Sequence, residues 1–173
     1  NAANHMILAD LDVSGKKEKV LMQAPKNGFF YLLERRTGKL LSAEKYVKVT
    51  WASHIDMKTG RPIENQSVRY YKNKSNSAEV TPTIFGGHGW ESMSYSPDTG
   101  LVYIPAHEFT STYTSDPNAP VGGVVFNYYG EDLNEQKTGL SEATKKRKIG
   151  KLIAWDPIKA SPVWKVESEL PLN

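Results

Sequence analysis

The stretch FFYLLERRTGKLLS, residues 29–42, decides the fold class. It consists of two short apolar runs with Arg36-Thr37-Gly38 between them. Short aromatic or aliphatic runs bounded by glycine and polar turn residues are typical of β-strands joined by tight turns. The stretch therefore predicts a β-hairpin.

The rest of the chain repeats this pattern. Comparable runs begin at Lys19, Ser92, Leu101, Lys151 and Val163, and Gly, Pro, Asn or Asp residues bound them. Brief runs between such residues indicate strands throughout, so we predict an all-β architecture.

The turn also recurs at a nearly regular interval. Asp98-Thr99-Gly100 follows the run MSYSP, and in AWDPIKASPVW the pair Lys159-Ala160 stands where Thr-Gly would be. Thr37, Thr99 and Lys159 are 62 and 60 residues apart, a period typical of propeller blades or other stacked β modules. Thr59-Gly60 falls off this period, and the spacing by itself leaves a β-sandwich open.

Two polar stretches, residues 61–84 and 107–149, interrupt the pattern. They contain few periodic apolar residues, and we expect long loops inserted between strands. The second stretch includes a basic run at 145–148, which we interpret as a solvated surface segment.

Composition excludes several classes of function. The chain has 22 basic and 19 acidic residues among 173, and a net charge of +3 is too small to indicate a nucleic-acid or anionic-membrane partner. It has no cysteine, which excludes disulfides and thiolate catalysis within the chain. The N-terminus does not read as a secretory signal. Position 1 is Asn1 and not an initiator methionine, so we expect a piece of a longer protein.

Residues 24–63, APKNGFFYLLERRTGKLLSAEKYVKVTWASHIDMKTGRPI, resemble the pyrroloquinoline quinone (PQQ) dependent alcohol dehydrogenases of the methanol and ethanol dehydrogenase family. The blocks HMILADL at 5–11, GGHGWESMSYSPDTGLVYIPA at 86–106 and GKLIAWDP at 150–157 are similar to the same family, in the family's order. That family consists of eight-bladed β-propellers. The resemblance implies that residues 1–173 are a single fragment of such a propeller, with roughly two to three blades at the observed period.

The family's blades carry a docking motif, Ala-x-Asp-x-x-Thr-Gly-x-x-x-Trp, whose indole packs against the neighbouring blade. Ala154, Asp156 and Trp164 occupy three of its positions, while Lys159-Ala160 replaces Thr-Gly. In the hairpin at 29–42, Ser42 stands where the tryptophan would be. The resemblance therefore implies looser docking on the same fold.

Lys26 is the first candidate cofactor-binding residue. A lysine beside Asn-Gly is by itself typical of a solvated turn. In the resembling family, however, a lysine or arginine of this Pro-Lys-Asn-Gly turn contacts the quinone oxygens. A fixed ammonium there would stabilise negative charge as it develops on the cofactor.

Gly89 and Trp90 are the other candidate cofactor-binding residues. His88-Gly89-Trp90 falls where many family members have His-Asn-Trp, and that asparagine contacts the quinone. Gly89 removes the contact, Trp90 is expected to line the pocket, and His88 is expected to have a structural role. The pairs His54 with Asp56 and His107 with Glu108 lack metal-ligand spacing, and we interpret them as surface or satisfied polar residues.

The resemblance places the catalytic aspartate just before Asn1 and the calcium ligands in earlier blades, so no catalytic or metal-binding residue is assigned here. It implies PQQ and calcium in an intact periplasmic enzyme that oxidises an alcohol to an aldehyde. The implied partners are the remaining blades and a cytochrome or quinone electron acceptor. We expect the fragment alone to be inactive and to bind neither cofactor tightly. Because a few blades without ring closure expose strand edges, we expect it either to self-associate or to rearrange. The alternative is a non-catalytic propeller of the same repeat type that acts as a protein-interaction scaffold.

Overall fold

The computed structural model describes residues 4–72, 74–115 and 149–169. In these ranges strands make up nearly all of the regular secondary structure, which confirms the all-β prediction. The strands are β1 Ile7–Val13, β2 Lys16–Gln23, β3 Phe29–Glu34, β4 Leu40–Lys45, β5 Ala52–Ile55, β6 Pro62–Glu64, β7 Ser77–Val80, β8 Ser94–Ser96, β9 Leu101–His107, β10 Ser111–Thr114, β11 Gly150–Asp156 and β12 Ser161–Ser168.

The described helices are two single 3-10 turns, Gln66–Val68 and Tyr70–Lys72. Within the described residues, no helix has the length and apolar character needed to cross a membrane.

Two four-stranded antiparallel sheets form the body of the molecule. The first has the strand order β1-β2-β3-β4, and the second has the order β12-β11-β9-β8. The predicted hairpin at 29–42 is present as β3 and β4, with Phe29 opposite Lys45 and Leu32 opposite Ser42. The remaining four strands form two smaller sheets, β5-β6 and β7-β10.

The main hydrophobic core joins the two large sheets. Val20, Met22 and Phe30 come from the first sheet, and Ile104 and Trp155 come from the second. The rings of Phe30 and Trp155 are 5.5 Å apart. Stacked four-stranded sheets that share a core are the arrangement of neighbouring propeller blades.

The other face of the first sheet is also buried. Phe29 and Ala43 pack there against Val49, Ala52 and Ile55, which belong to the segment leading into β5 and to β5 itself. A strand buried on both faces needs apolar residues at nearly every position, and the sequence of β3, FFYLLE, meets this requirement.

One turn geometry links the hairpins, as the recurring Thr-Gly predicted. It spans 34–38, 96–100 and 156–160, and the last residue of each has a positive φ: 75° at Gly38, 69° at Gly100 and 51° at Ala160. The turn at 56–60 is the same although it lies off the period, with Gly60 at a φ of 68° and its N–H donating to the Asp56 carbonyl at 2.7 Å. The Thr-Gly residues therefore predict this turn better than the regular spacing does.

The first inserted stretch is more ordered than expected. Residues 61–84 contain β6, β7 and both 3-10 turns, because short polar segments such as Ser77–Val80 pair with a partner strand that the sequence places far away. The second stretch contributes β10, while its residues 116–148, including the basic run at 145–148, lie outside the described residues.

Candidate functional site

The candidate site is built on the tight turn between β2 and β3. The Gly28 N–H donates to the Pro25 carbonyl at 3.2 Å, and Gly28 has a φ of 91°. The Asn27 side-chain oxygen accepts from the Phe29 N–H at 3.0 Å, which is the typical role of asparagine in a turn. Lys26 therefore stands at the tip of a turn that its neighbours fix.

A loop at 82–91 packs against this turn. The Gly87 N–H donates to the Lys26 carbonyl at 3.0 Å. Gly86 has a φ of 85°, and a Cβ added to it would meet the Lys26 Cβ at 2.5 Å. Only glycine allows so close an approach in this backbone conformation.

Lys26 lines an open groove of about 900 Å³. Its side chain is half-buried, and its ammonium donates to the Ile84 carbonyl at 3.4 Å. The groove combines charged, amide, hydroxyl and aromatic side chains with an apolar wall, and its lining residues are Gln23, Pro25, Lys26, Asn27, Tyr31, Leu33, Trp51, Pro82, Thr83 and Ile84. A planar molecule with polar edges suits such a lining.

Tyr31 and Trp51 add aromatic surface beside Lys26. The Asn27 amide donates to the Tyr31 hydroxyl at 2.8 Å, and burial raises the pKa of that hydroxyl, so it stays protonated at neutral pH. The Trp51 ring meets the Phe29 ring edge to face at 5.9 Å. The turn thus holds Tyr31 in place through Asn27, and strand β3 holds Trp51 in place through Phe29.

Gly89 and Trp90 lie on the same loop, but the groove lining includes neither of them. Gly89 is buried, and a Cβ added to it would collide with the Glu91 carboxylate. The Trp90 side chain is 80% exposed. Their assignment to the cofactor remains a prediction.

His88 is completely buried, in agreement with the structural role expected for it. Its Nδ1 lies 2.7 Å from the Ala24 carbonyl oxygen and its Nε2 lies 2.8 Å from the Glu91 carbonyl oxygen. The Asn4 amide donates to the carbonyl of His88 at 3.0 Å and also to that of Gly89. The ring thus connects the loop at 82–91 to the residue that precedes the Pro-Lys-Asn-Gly turn.

His107 is not the surface or satisfied residue that the sequence indicated. It is 5% exposed, and its Nδ1 has no hydrogen-bond partner within the described residues. Burial lowers the pKa of His107, and the nearby His88 and Lys26 act in the same direction, against the Glu91 carboxylate and a backbone hydrogen bond with Phe85. The prediction failed because His107 ends a strand, β9, whose packing could not be read locally.

Glu108 does behave as a satisfied polar residue. Burial would raise the pKa of its carboxyl, but hydrogen bonds from the Lys151 ammonium and the Lys48 N–H outweigh burial and lower it. The Lys151 Nζ lies 2.8 Å from Glu108 Oε2. The other pair, His54 and Asp56, lies on β5 and the turn after it, and His54 is exposed, as expected.

No group of three or more His, Asp or Glu side chains within the described ranges is arranged to hold a metal ion. Sequence reasoning found Lys26 but missed Tyr31, Tyr46 and Trp51 as its neighbours. The Tyr46 hydroxyl donates to the Pro25 carbonyl at 2.7 Å across 21 residues of sequence. Such long-range contacts leave no local signal, although the Asn-Gly pair did mark the turn.

Comparison with known proteins gives this site a context. No family model matches the chain. The chain is similar to the quinohemoprotein alcohol dehydrogenase ADH-IIG of Pseudomonas putida, with 49% identity over 171 residues, which are 95% of this chain and 24% of that protein. The chain thus spans about a quarter of the length of the curated relatives it matches.

Solved structures agree with the sequence relatives. The structure of quinohemoprotein alcohol dehydrogenase ADHIIG from Pseudomonas putida HK5 superposes with a TM-score of 0.80 at 45% identity, over 96% of this chain and 25% of that one. A europium-containing methanol dehydrogenase superposes with a TM-score of 0.71 at 27% identity, over 97% of this chain and 28% of that one. The predicted partial β-propeller is confirmed, and the chain belongs to the PQQ-dependent (quinoprotein) alcohol dehydrogenase family.

Proposed function

We propose that this chain forms part of the quinone pocket of a PQQ- and calcium-dependent alcohol dehydrogenase, which oxidises an alcohol to an aldehyde. The observation that carries the proposal is the half-buried Lys26 side chain on the wall of a groove of about 900 Å³. A charged side chain held at a concave, mixed polar and aromatic surface is typical of a cofactor site.

The residues present fit a planar, oxygen-rich cofactor. A lysine ammonium has three donor hydrogens, and Lys26 uses one in a long bond of 3.4 Å to Ile84. Asn27, Tyr31 and Thr83 place further polar groups on the groove wall, and Trp51 offers an aromatic edge. Lys26 would hold the quinone end of the cofactor, and Trp51 and Tyr31 would limit its position in the groove.

When bound, PQQ would supply the acceptor for the hydride that leaves the alcohol. The contribution of this chain would be electrostatic, because a fixed positive charge at Lys26 stabilises negative charge that develops on a nearby oxygen. The Lys26 turn and its groove would also keep water from part of the cofactor. We propose that the general base and the calcium ligands belong to other blades of the parent protein.

The family relation supports the wider setting of this proposal. Relatives named quinohemoproteins or dehydrogenase subunits suggest a cytochrome or another quinone as electron acceptor. We also propose a periplasmic location for the intact protein. We propose that residues 1–173 are one propeller segment of two to three blades, of which the two four-stranded sheets are two. The remaining blades of the parent chain would be its partners, and the segment alone would be inactive.

A non-catalytic scaffold of the same repeat type is the second candidate. Gly89 favours it, because this position lacks the side chain that the resembling enzymes direct at the quinone, and Trp90 is 80% exposed. A scaffold has no chemical need for a half-buried lysine on a groove, so we favour the enzyme.

The test is PQQ-dependent alcohol oxidation by the intact protein that carries this segment, assayed with an artificial electron acceptor. The protein is prepared without cofactor and then loaded with PQQ and calcium. We expect activity that requires both additions. A folded protein that binds no PQQ and oxidises none of a panel of primary, secondary and aromatic alcohols would support the scaffold instead.

A further inference from the structure

The backbone of the Lys26 turn is held by groups from elsewhere in the molecule. Four consecutive carbonyl oxygens, those of Ala24 and of the first three turn residues, each lie within hydrogen-bond distance of a group far away in sequence. The pairs are Ala24 with His88 Nδ1 at 2.7 Å, Pro25 with the Tyr46 hydroxyl at 2.7 Å, Lys26 with the Gly87 N–H at 3.0 Å, and Asn27 with the indole N–H of Trp51 at 3.0 Å. We call these four groups the turn clamp.

Two of the clamp side chains are deeply buried. His88 is completely buried, and Tyr46 is 6% exposed. Burial raises the pKa of the Tyr46 hydroxyl well above its ordinary value, so this group is a protonated donor at neutral pH. Both ring nitrogens of His88 face carbonyl oxygens, Nδ1 that of Ala24 at 2.7 Å and Nε2 that of Glu91 at 2.8 Å, and a ring nitrogen donates to a carbonyl only when it carries hydrogen.

An ordinary surface turn does not need this clamp. Turn carbonyls are usually satisfied by water or by the local i to i+3 bond, and Pro25 already accepts that bond from the Gly28 N–H. Here three separate segments, at residues 46, 51 and 87–88, contact the four consecutive carbonyls of residues 24–27. The arrangement fixes the position of the turn relative to both large sheets and to the groove.

The clamp also reaches the Lys26 side chain. The loop that supplies Gly87 and His88 places Gly86 directly against the lysine stem, and its Ile84 carbonyl accepts from the ammonium. Backbone and side chain of Lys26 are therefore restrained by the same loop.

We propose that Tyr46, Trp51 and His88 are positioning residues that hold the Lys26 ammonium in place before the cofactor binds. This inference rests on the proposed function, in which that ammonium stabilises charge on the quinone. A charge that is held in advance needs no reorganisation when the reaction occurs, and such preorganisation is a main source of electrostatic catalysis. Tyr46 and His88 lie outside the groove lining and act through Lys26 alone, whereas Trp51 acts through Lys26 and also lines the groove.

The test is a double-mutant cycle in the intact, PQQ-loaded protein. Tyr46→Phe keeps the ring and removes only the donor to Pro25. We expect it to lower kcat for the alcohol by about 3- to 10-fold, the usual effect of one lost hydrogen bond, with little change in KM. In a Lys26→Ala background the same change should lower kcat by less than about twofold, because the two residues act on one step.

Trp51→Phe provides an independent second variant, since it removes the donor to Asn27 and keeps an aromatic ring in the groove. Tyr71→Phe is the matched control, because Tyr71 is 55% exposed and lies outside the clamp. It should leave kcat unchanged. Melting temperature and bound PQQ are measured for every variant, so that loss of folding is separated from loss of positioning.

The outcomes separate the two proposals. If Lys26→Ala leaves kcat and PQQ affinity unchanged, the proposed function of Lys26 fails and the clamp proposal fails with it. If Lys26→Ala lowers kcat but Tyr46→Phe and Trp51→Phe are silent, or lower kcat equally with and without Lys26, then Lys26 keeps its function and the clamp proposal alone is overturned.

Discussion

At the scale of single residues, Lys26 shows how far sequence reasoning extends. The Pro-Lys-Asn-Gly motif identified the turn and its lysine, because Asn-Gly chemistry is local. The groove around it was not predictable, since Tyr31, Trp51 and Ile84 reach it through strand pairing and loop packing. Residues that act through long-range contacts leave no pattern within a window of a few positions.

The packing around Gly89 accounts for the small residue at this position, where many members of the resembling family have asparagine. The Glu91 carboxylate occupies the space where a side chain at Gly89 would begin, and Glu91 Oε2 is buried without a partner among the described residues. The Glu91 side chain, which has several rotatable bonds, therefore fills the space beside Gly89.

Replacing Gly89 with asparagine tests this interpretation. If Gly89 faces the cofactor, Gly89→Asn combined with Glu91→Ala should tighten PQQ binding by about 3- to 10-fold, the value of one added hydrogen bond. Gly89→Ala combined with Glu91→Ala is the control, because it adds the Cβ without the amide. Equal PQQ dissociation constants for the two double variants, measured by titration of the intact protein, would contradict a cofactor contact at this position.

Glu34 gives a prediction for pH dependence. Its side chain accepts hydrogen bonds from Thr37 Oγ1 at 2.5 Å and from the Arg36 N–H at 3.0 Å, and these bonds lower its pKa from 4.5 to about 2. A lowered carboxyl pKa stabilises the folded state above the unfolded value and loses that effect as the pH falls toward the folded value. Glu34 therefore stabilises its turn fully above about pH 4.5, and this stabilisation fades between that pH and about 2.

The measurement is thermal unfolding of wild type and Glu34→Gln across this range of pH. We expect the variant to melt lower at pH 7, with a difference that narrows steadily below pH 4.5. Glu44→Gln, a change on the exposed side of β4, should show little difference at any pH. A difference for Glu34→Gln that stays constant down to pH 2.5 would contradict the ionised carboxylate as the stabilising group.

At the scale of elements, the repeated five-residue turn is the feature that the sequence predicted best. Thr37-Gly38 and Thr99-Gly100 marked it, and the positive φ of both glycines explains why glycine is used there. The turn at 156–160 keeps the geometry although Ala160 replaces glycine, with a φ of 51°. An alanine in the left-handed region is strained, and its neighbours must hold it there.

Ala160→Gly should therefore stabilise the protein. Relief of the left-handed strain outweighs the greater freedom of glycine in the unfolded chain, for a net gain of about 0.5–1 kcal/mol. The gain is measured by denaturant unfolding of the intact protein, with Ala154→Gly on the preceding strand β11 as the control that should destabilise it. A loss of stability with Ala160→Gly would show that the alanine is not strained.

The inserted segments mark where element prediction stops. β7 and β10 pair residues 77–80 with 111–114, and neither run is apolar enough to predict a strand alone. Their pairing depends on residues more than thirty positions away, so tertiary context decides the structure.

At the scale of the whole molecule, the two large sheets share a core but leave strand edges free within the described residues. β12 pairs with β11 on one side, and its Val163, Trp164 and Val166 side chains are 55%, 42% and 60% exposed. Exposed apolar residues on an edge strand favour association with another chain.

The isolated 173-residue chain should accordingly self-associate. Sedimentation velocity across a range of concentrations should show species larger than a monomer, and Val166→Lys should shift the distribution toward monomer because it places a charge on the exposed strand. A single monomeric species at all concentrations would show that the exposed β12 surface does not mediate self-association.

The central claim is that Lys26 lies at the quinone, and its most direct test is Lys26→Ala in the intact protein. PQQ affinity and the rate of alcohol oxidation are measured beside Lys39→Ala, a change in the exposed turn between β3 and β4. We expect Lys26→Ala to lower kcat by about 10- to 1000-fold, as removal of one group that stabilises developing charge typically does, while Lys39→Ala leaves it unchanged. Wild-type turnover and wild-type PQQ affinity in Lys26→Ala would contradict the claim.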